Sequence, residues 1–287
     1  MAYSASPRPT FAGPTHIPYA AVTRHLWGDA ESGQVDDWIY VSSDQIHQLV
    51  FGLPPGGWFR HSPDYRTVFA ADEIYYVLSG AMTLANPETG EVLRVLPGEA
   101  VFFRRDTWHH AYNYSAEPLR VLELFAPPPS KGTSGAYART RPYIETPRYT
   151  QDQYLGRWPM AAAERRTAAT LHHLCERDLL WRLEGTQNYT PVGIWASTEH
   201  LTIGQRELLP GQHSDVECHG GSESLYVLEG VLNVRTPDLD GQRWYELHPG
   251  DGFYLPEGIP HHYYNMRGAP TRFVFGVAPG YTQGAAQ

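Results

Sequence analysis

The sequence predicts an all-β protein of two tandem, jelly-roll-like β-barrels joined by a short helical linker, and three observations carry that expectation. The segment EIYYVLSGAMTL at 73–84 returns as ESLYVLEGVLNV at 223–234. A second pair agrees, LPGEAVFFRRDTWHHAYN at 96–113 with HPGDGFYLPEGIPHHYYN at 248–265. Glu73 and His109 are 36 residues apart and Glu223 and His261 are 38 apart, so both matches keep nearly one spacing and mark an internal repeat. The third observation is texture. Among 287 residues, 27 Gly and 24 Pro punctuate short β-branched and aromatic bursts such as 75–78, 101–103 and 121–125, which is the pattern of short antiparallel strands.

Taken in order, residues 1–44 are expected to form a proline-rich arm, 45–126 the first barrel, 127–194 a loop and helical linker, and 195–287 the second barrel. APPPSKGTSG at 126–135 is too rich in turn formers to hold a regular element. MAAAERRTAATLHHL and ERDLLWRL, within 159–183, contain good helix formers and predict one or two helices ending at Gly185.

Composition excludes several roles. A formal net charge of −9, with lysine almost absent and no long basic run, argues against nucleic acid as a partner. MAYSASPRPTFAGPTH lacks the apolar centre of a signal peptide, and no stretch has the roughly 18 apolar residues that would span a bilayer. A cytoplasmic protein with no membrane partner is expected. Cys175 and Cys218 are far apart with no C-x-x-C pair, so no disulfide framework or zinc ribbon is predicted; Cys218 is read as a packed thiol.

The chemistry concentrates in ECHGGSESLYVLEG at 217–230. Period-two alternation puts Glu217, His219, Glu223, Leu225 and Val227 on one face of an unbroken strand, with Gly220 and Gly221 implying a bend among them. A divalent metal needs N and O donors converging from several directions. The fourth donor is then expected from another strand, and His261, after the turn at 256–258, is the candidate. His110 and His262 alternate away from that face and are read as packed or exposed, while His213, Asp215 and His248 near turns are assigned no role. Tyr263 shares the face of His261, and Tyr254 lies on the preceding strand; both are candidates to line a pocket for a planar or aromatic substrate.

These residues resemble the cupins, whose first motif is G-x5-H-x-H-x3,4-E-x6-G and whose second is G-x5-P-x-G-x2-H-x3-N. In the second unit Gly211, His219, Glu223 and Gly230 keep the first motif's spacing, and Gly250, Pro256, Gly258, His261 and Asn265 match the second completely. Glu217 stands where the first histidine normally stands. The first unit keeps Glu73, Gly80, Gly98, His109 and Asn113, but Thr67 and Phe69 replace the histidines and Arg104-Arg105-Asp106 replaces the P-x-G turn. The resemblance, over 45–126 and 195–279, implies a bicupin with one metal-bearing barrel, in which His219, Glu223 and His261 bind the ion. Glu217 is carried over by position only, as a ligand or as a base. A carboxylate-rich set favours one Fe(II) or Mn(II) per chain, with Zn permitted.

Because the cupin fold hosts many reactions, it does not select one. A metal-dependent dioxygenase acting on a small oxygen-donor substrate is the leading expectation, with Glu217 as catalytic proton acceptor. A redox-neutral isomerase, lyase or aminohydrolase, using the metal as Lewis acid, is the alternative. The Glu-x-His opening and the silent first barrel are similar to ureidoglycine aminohydrolases, although Glu223 and His261 stand where that family uses His and Gln. The third reading is a non-catalytic binding protein. The arm and the exposed strand edges would also support a homodimer.

Overall fold

The computed structural model describes residues 6–237 and 240–282. The chain divides into two units: Arg24–Trp38 with Leu49–Arg177, and Pro7–Thr23 with Ile39–Gln48 and the chain from Asp178 onward. Each is a pair of antiparallel sheets, as the all-β expectation requires.

The larger sheet built mainly from the first unit runs in the order His172–Leu174, Ala100–Phe103, Asp72–Ser79, Leu119–Ala126, His47–Leu53, Gly33–Ser42, Thr23–Asp29. The smaller sheet is Trp58–Phe59, His110–Asn113, Met82–Asn86, Glu91–Val95. In the second unit the larger sheet is Thr15–Ile17, Gly252–Leu255, Ser222–Glu229, Thr271–Ala278, Thr202–Leu208, Thr190–Ser197, Leu180–Glu184. Its smaller sheet is Trp244–Leu247, Leu232–Arg235, His262–Tyr264.

The sequence repeat is also a register repeat. Glu73 lies between Phe103 and Phe125, and Glu223 between Leu255 and Val277, so the two glutamates hold one place in two copies of the same strand triplet. Inward-facing residues of the second barrel, among them Leu225, Val227, Phe253, Phe273 and Phe275, form its buried core. Alternation along each strand sends the intervening residues outward.

Two expectations are corrected. ERDLLWRL is helical only at its start, where Glu176–Asp178 makes one 3-10 turn; Leu180–Glu184 is an edge strand paired with Thr190–Ser197. Helix propensity is a weak prior, and eight residues cannot hold a helix without a packed face, whereas pairing on an existing sheet satisfies the backbone at once. Within the first stretch only Ala162–Thr167 is α-helical, and its last residues, His172–Leu174, instead pair with Ala100–Phe103. Residues 6–44 are also not a simple arm, and residues 1–5 of that expectation lie outside the described residues. Thr15–Ile17 adds an edge strand to Gly252–Leu255, and Thr23–Asp29 and Gly33–Ser42 are strands of the first unit's larger sheet. Among the described residues no helix is long and apolar enough to cross a membrane.

Candidate metal centre

Three segments of the second barrel deliver the four predicted donors. Glu223 sits on Ser222–Glu229 in phase with the core residues Leu225 and Val227, and so points inward. Glu217 and His261 are directly opposite one another in an isolated antiparallel bridge, each donating its backbone N–H to the other's carbonyl, at 2.8 and 2.9 Å. His219 is anchored two residues on, where its carbonyl accepts the Gly258 N–H at 3.0 Å. The bend between His219 and Glu223 depends on glycine. A Cβ on Gly221 would stand 2.3 Å from the Ala278 carbonyl oxygen, which is backbone and cannot move aside.

Both imidazoles are oriented from behind. His219 Nδ1 lies 2.6 Å from the Tyr281 carbonyl and His261 Nδ1 lies 3.0 Å from the Ile259 carbonyl. A carbonyl only accepts, so each Nδ1 carries a proton and each Nε2 is directed at the site, the tautomer a metal ligand needs. Glu223 Oε2 is 3.4 Å from His219 Nε2 and 3.2 Å from His261 Nε2. The other oxygen, Oε1, accepts the Tyr263 hydroxyl at 2.7 Å.

Glu223 Oε2 and His261 Nε2 are nevertheless buried without an aligned hydrogen-bond partner, on side chains only 2 % and 1 % exposed. Buried polar atoms are almost always satisfied, and two orphans facing each other suit a shared cation. Burial opposes charge on Glu223, but His261, His219 and the Tyr263 hydroxyl outweigh it and hold the carboxyl down at about 2. Burial likewise opposes charge on His261, while Glu223 and then Glu217 raise its pKa above the ordinary value. The residues present therefore fit a divalent metal.

Glu217 joins the group with a complication that sequence reasoning missed. One donor atom each from Glu217, His219 and His261 lie within 4.8 Å of one another. The Glu217 carboxylate is also ion-paired with Arg206 through Oε1. Arg206 is 2 % exposed, pairs with Glu184 Oε2 at 3.2 Å, and has its guanidinium 5.4 Å from the Tyr263 ring centre. Burial would discharge this guanidinium, but Glu217 overrides that and raises its pKa. Arg206 was visible as an arginine in phase with the core residue Leu208, a position where alternation calls for an apolar side chain. Glu184 and Tyr281, whose hydroxyl donates to Glu184 Oε2 at 2.7 Å, gave no such signal.

The two pocket candidates separate. Tyr263 is inside the barrel, with its hydroxyl committed to Glu223. Tyr254 is on the opposite face of its strand. Its neighbours Phe253 and Leu255 enter the core, while its own hydroxyl lies 3.0 Å from Ser222 Oγ, which alternates outward from Glu223. Tyr254 therefore does not line the site. Cys218 is half-exposed rather than packed, and neither cysteine is in a disulfide. His110 is buried between His61 and Tyr149, and His262 is half-buried near the Ser214 carbonyl.

The first barrel keeps the frame and changes the chemistry. His109 N–H bonds the Thr67 carbonyl and Asp106 N–H the Phe69 carbonyl, just as His261 bonds Glu217 and Gly258 bonds His219. Asp106 even takes the left-handed φ of 66° where Gly258 has 77°. Glu73 and His109 do not pair: His109 Nε2 lies 3.0 Å from the Tyr75 hydroxyl, and the Phe69 ring is 5.6 Å from the imidazole. Burial lowers His109 to about 4. Glu123, level with Phe275 of the second barrel, is pushed by burial and by Asp37 to about 8, and burial with Glu123 raises Glu73 well above its usual range.

Comparison with solved structures finds the same architecture at low identity. A Pseudomonas aeruginosa protein described as a candidate glyoxylate-induced protein matches with 14 % identity and a TM-score of 0.65, covering 100 % of this chain and 97 % of its own. Ylba of E. coli matches at 12 % identity and TM-score 0.61, covering 96 % and 94 %. Oxalate decarboxylase of Lactobacillus farciminis, solved as a formate complex, matches at 12 % and 0.59, covering 96 % and 88 %. No curated protein sequence matches the chain. The cupin domain model matches twice, at residues 49–125 and 204–277, which together exceed half of the chain and bracket both repeats. With paired barrels, a shared register and inward-facing donors in the second repeat, the chain belongs to the cupin family, as a tandem bicupin.

Proposed function

We propose that the second barrel is the active site of a metal-dependent dioxygenase acting on a small oxygen-donor substrate, with His219, His261 and Glu223 holding Fe(II) or Mn(II). The observation that carries this reading is the convergence of two Nε2 atoms and one carboxylate oxygen, with Glu223 Oε2 at 3.4 and 3.2 Å from the two imidazoles. Two histidines and one carboxylate on one side of an ion are the donor set of non-haem Fe(II) oxygenases. The bound metal would supply a redox-active Lewis acid with coordination positions left for a chelating substrate. Glu217 is the proton acceptor beside it: the carboxylate is near both imidazoles, and the Arg206 contact holds it aimed. Tyr263 fixes the orientation of Glu223.

A redox-neutral reaction is the second reading, and the closeness of Glu217 to His219 and His261 favours it. Were Glu217 to leave Arg206 and complete a four-donor set, the harder site would suit Lewis-acid chemistry. A structural neighbour named oxalate decarboxylase makes small dicarboxylic and oxo acids the first substrates to screen.

The test is metal content followed by oxygen dependence. Near one Fe or Mn per chain, lost in a His219→Ala, His261→Ala double variant, together with turnover that stops under anaerobic conditions, is the expected result. Turnover unchanged without oxygen would replace the dioxygenase reading with the redox-neutral one. Absence of metal even after reconstitution would leave a binding protein.

A further inference from the structure

The first unit carries a second convergent cluster, which shares no residue with the donors of the second barrel. Glu99 closes the turn Leu96-Pro97-Gly98-Glu99, in which Gly98 is left-handed (φ 85°) and Glu99 N–H bonds the Leu96 carbonyl at 3.0 Å. The Glu99 carboxylate folds back to accept the Leu96 N–H, also at 3.0 Å, so it is held in place by its own turn. Opposite lies the edge strand His172–Leu174, in register His173↔Val101 and Leu174↔Ala100. Continuing that register sets Cys175 opposite Glu99, and alternation puts His173 and Cys175 on the face that Glu99 occupies.

The side chains meet there. Glu99 Oε2 is 2.9 Å from His173 Nε2, Glu99 Oε1 is 3.7 Å from Cys175 Sγ, and that sulfur is 4.0 Å from His173 Nε2. A nucleophile triad would need the two imidazole nitrogens to face different partners, the base toward sulfur and the other toward carboxylate. Here one nitrogen, Nε2, faces both, so the three groups converge on a point instead of forming a relay. Tetrahedral zinc with bonds of about 2.0–2.3 Å separates its N, O and S donors by about 3.3–3.6 Å. The observed 2.9–4.0 Å brackets that range. Burial raises the Glu99 pKa, but the Leu96 N–H and His173 prevail and keep the carboxyl below its ordinary range.

We propose that Glu99, His173 and Cys175 form a second metal site, for zinc or a similar thiolate-binding divalent cation, that clips the edge strand His172–Leu174 to the first unit's larger sheet. The cysteine thiol gives up its proton on binding, so one S–H bond is exchanged for one metal–sulfur bond and one proton is released. The half-exposed setting leaves a fourth tetrahedral position to water.

Cobalt(II) is the probe. Reduced, chelator-treated full-length protein titrated with Co(II) should show a thiolate-to-cobalt charge-transfer band that saturates within two equivalents, one for each proposed site, is displaced by Zn(II), and survives in Cys218→Ser. Cys175→Ser should abolish the band without changing the far-UV circular dichroism, and His173→Ala should weaken binding at least about tenfold. The donors assigned in the second barrel are imidazole and carboxylate, which give no such band, so this result is independent of the proposed function. No thiolate band in the folded native chain, or a band that survives Cys175→Ser, would overturn the proposal.

Discussion

Replacing Glu123 with Gln should stabilise the protein in alkaline but not in acidic solution. Glu123 faces the first barrel's interior at the place Phe275 fills in the second, is 7 % exposed, and has its carboxyl pushed to about 8 from an ordinary 4.5 by burial and by Asp37. Between those values the folded chain keeps the proton and the unfolded chain has lost it. The unfolded state therefore binds fewer protons, and unfolding free energy falls as pH rises, by about 1.4 kcal/mol per pH unit. Stability from the neutral carboxyl is fully present below 4.5 and is lost as pH rises through about 8, a total of at most about 5 kcal/mol. Gln cannot ionise, and whatever its buried amide costs is the same at every pH. Urea unfolding of both proteins at about pH 4.5 and about pH 9 isolates the carboxyl, because the pH-independent amide term cancels in the difference of differences. A variant advantage at least about 2 kcal/mol larger at the alkaline pH is expected. An identical stability difference at both pH values would refute the reasoning and mean that Glu123 is ionised inside the barrel at little cost.

Two further outcomes follow from the second barrel. Arg206→Met should destabilise the chain by about 3–5 kcal/mol in urea unfolding, because it strands the charges of Glu217 and Glu184 beside an apolar side chain; adding Glu217→Gln should recover part of the loss. Tyr254→Phe should lower stability by about 1 kcal/mol and leave metal uptake unchanged, whereas Tyr263→Phe, which frees Glu223 Oε1, should weaken metal affinity by about tenfold or more in competition with a chelator.

What the sequence determined by itself was whatever local pattern encodes. The repeat, the turns and the phase of Glu223 with Leu225 and Val227 follow from glycine placement and period-two alternation, and alternation is local physics. Motif spacing likewise brought His219, Glu223 and His261 to one site, because a strand and a closing turn of set length leave little freedom in where a side chain arrives. Pairing across long separations was not legible. Residues 23–29 and 180–184 became strands because a sheet edge satisfied their backbone groups, whereas the burst Trp38-Ile39-Tyr40-Val41 in 33–42 carries its own β signal. The same limit hid the partnership of Glu217 with Arg206 and the role of Glu184, which are ion pairs created by burial. It also concealed that Tyr254 turns its ring out of the barrel while Tyr263 turns inward to Glu223. Which side of a strand faces the core is settled only when the second sheet closes over it, since burial is a property of the packed molecule and not of the chain.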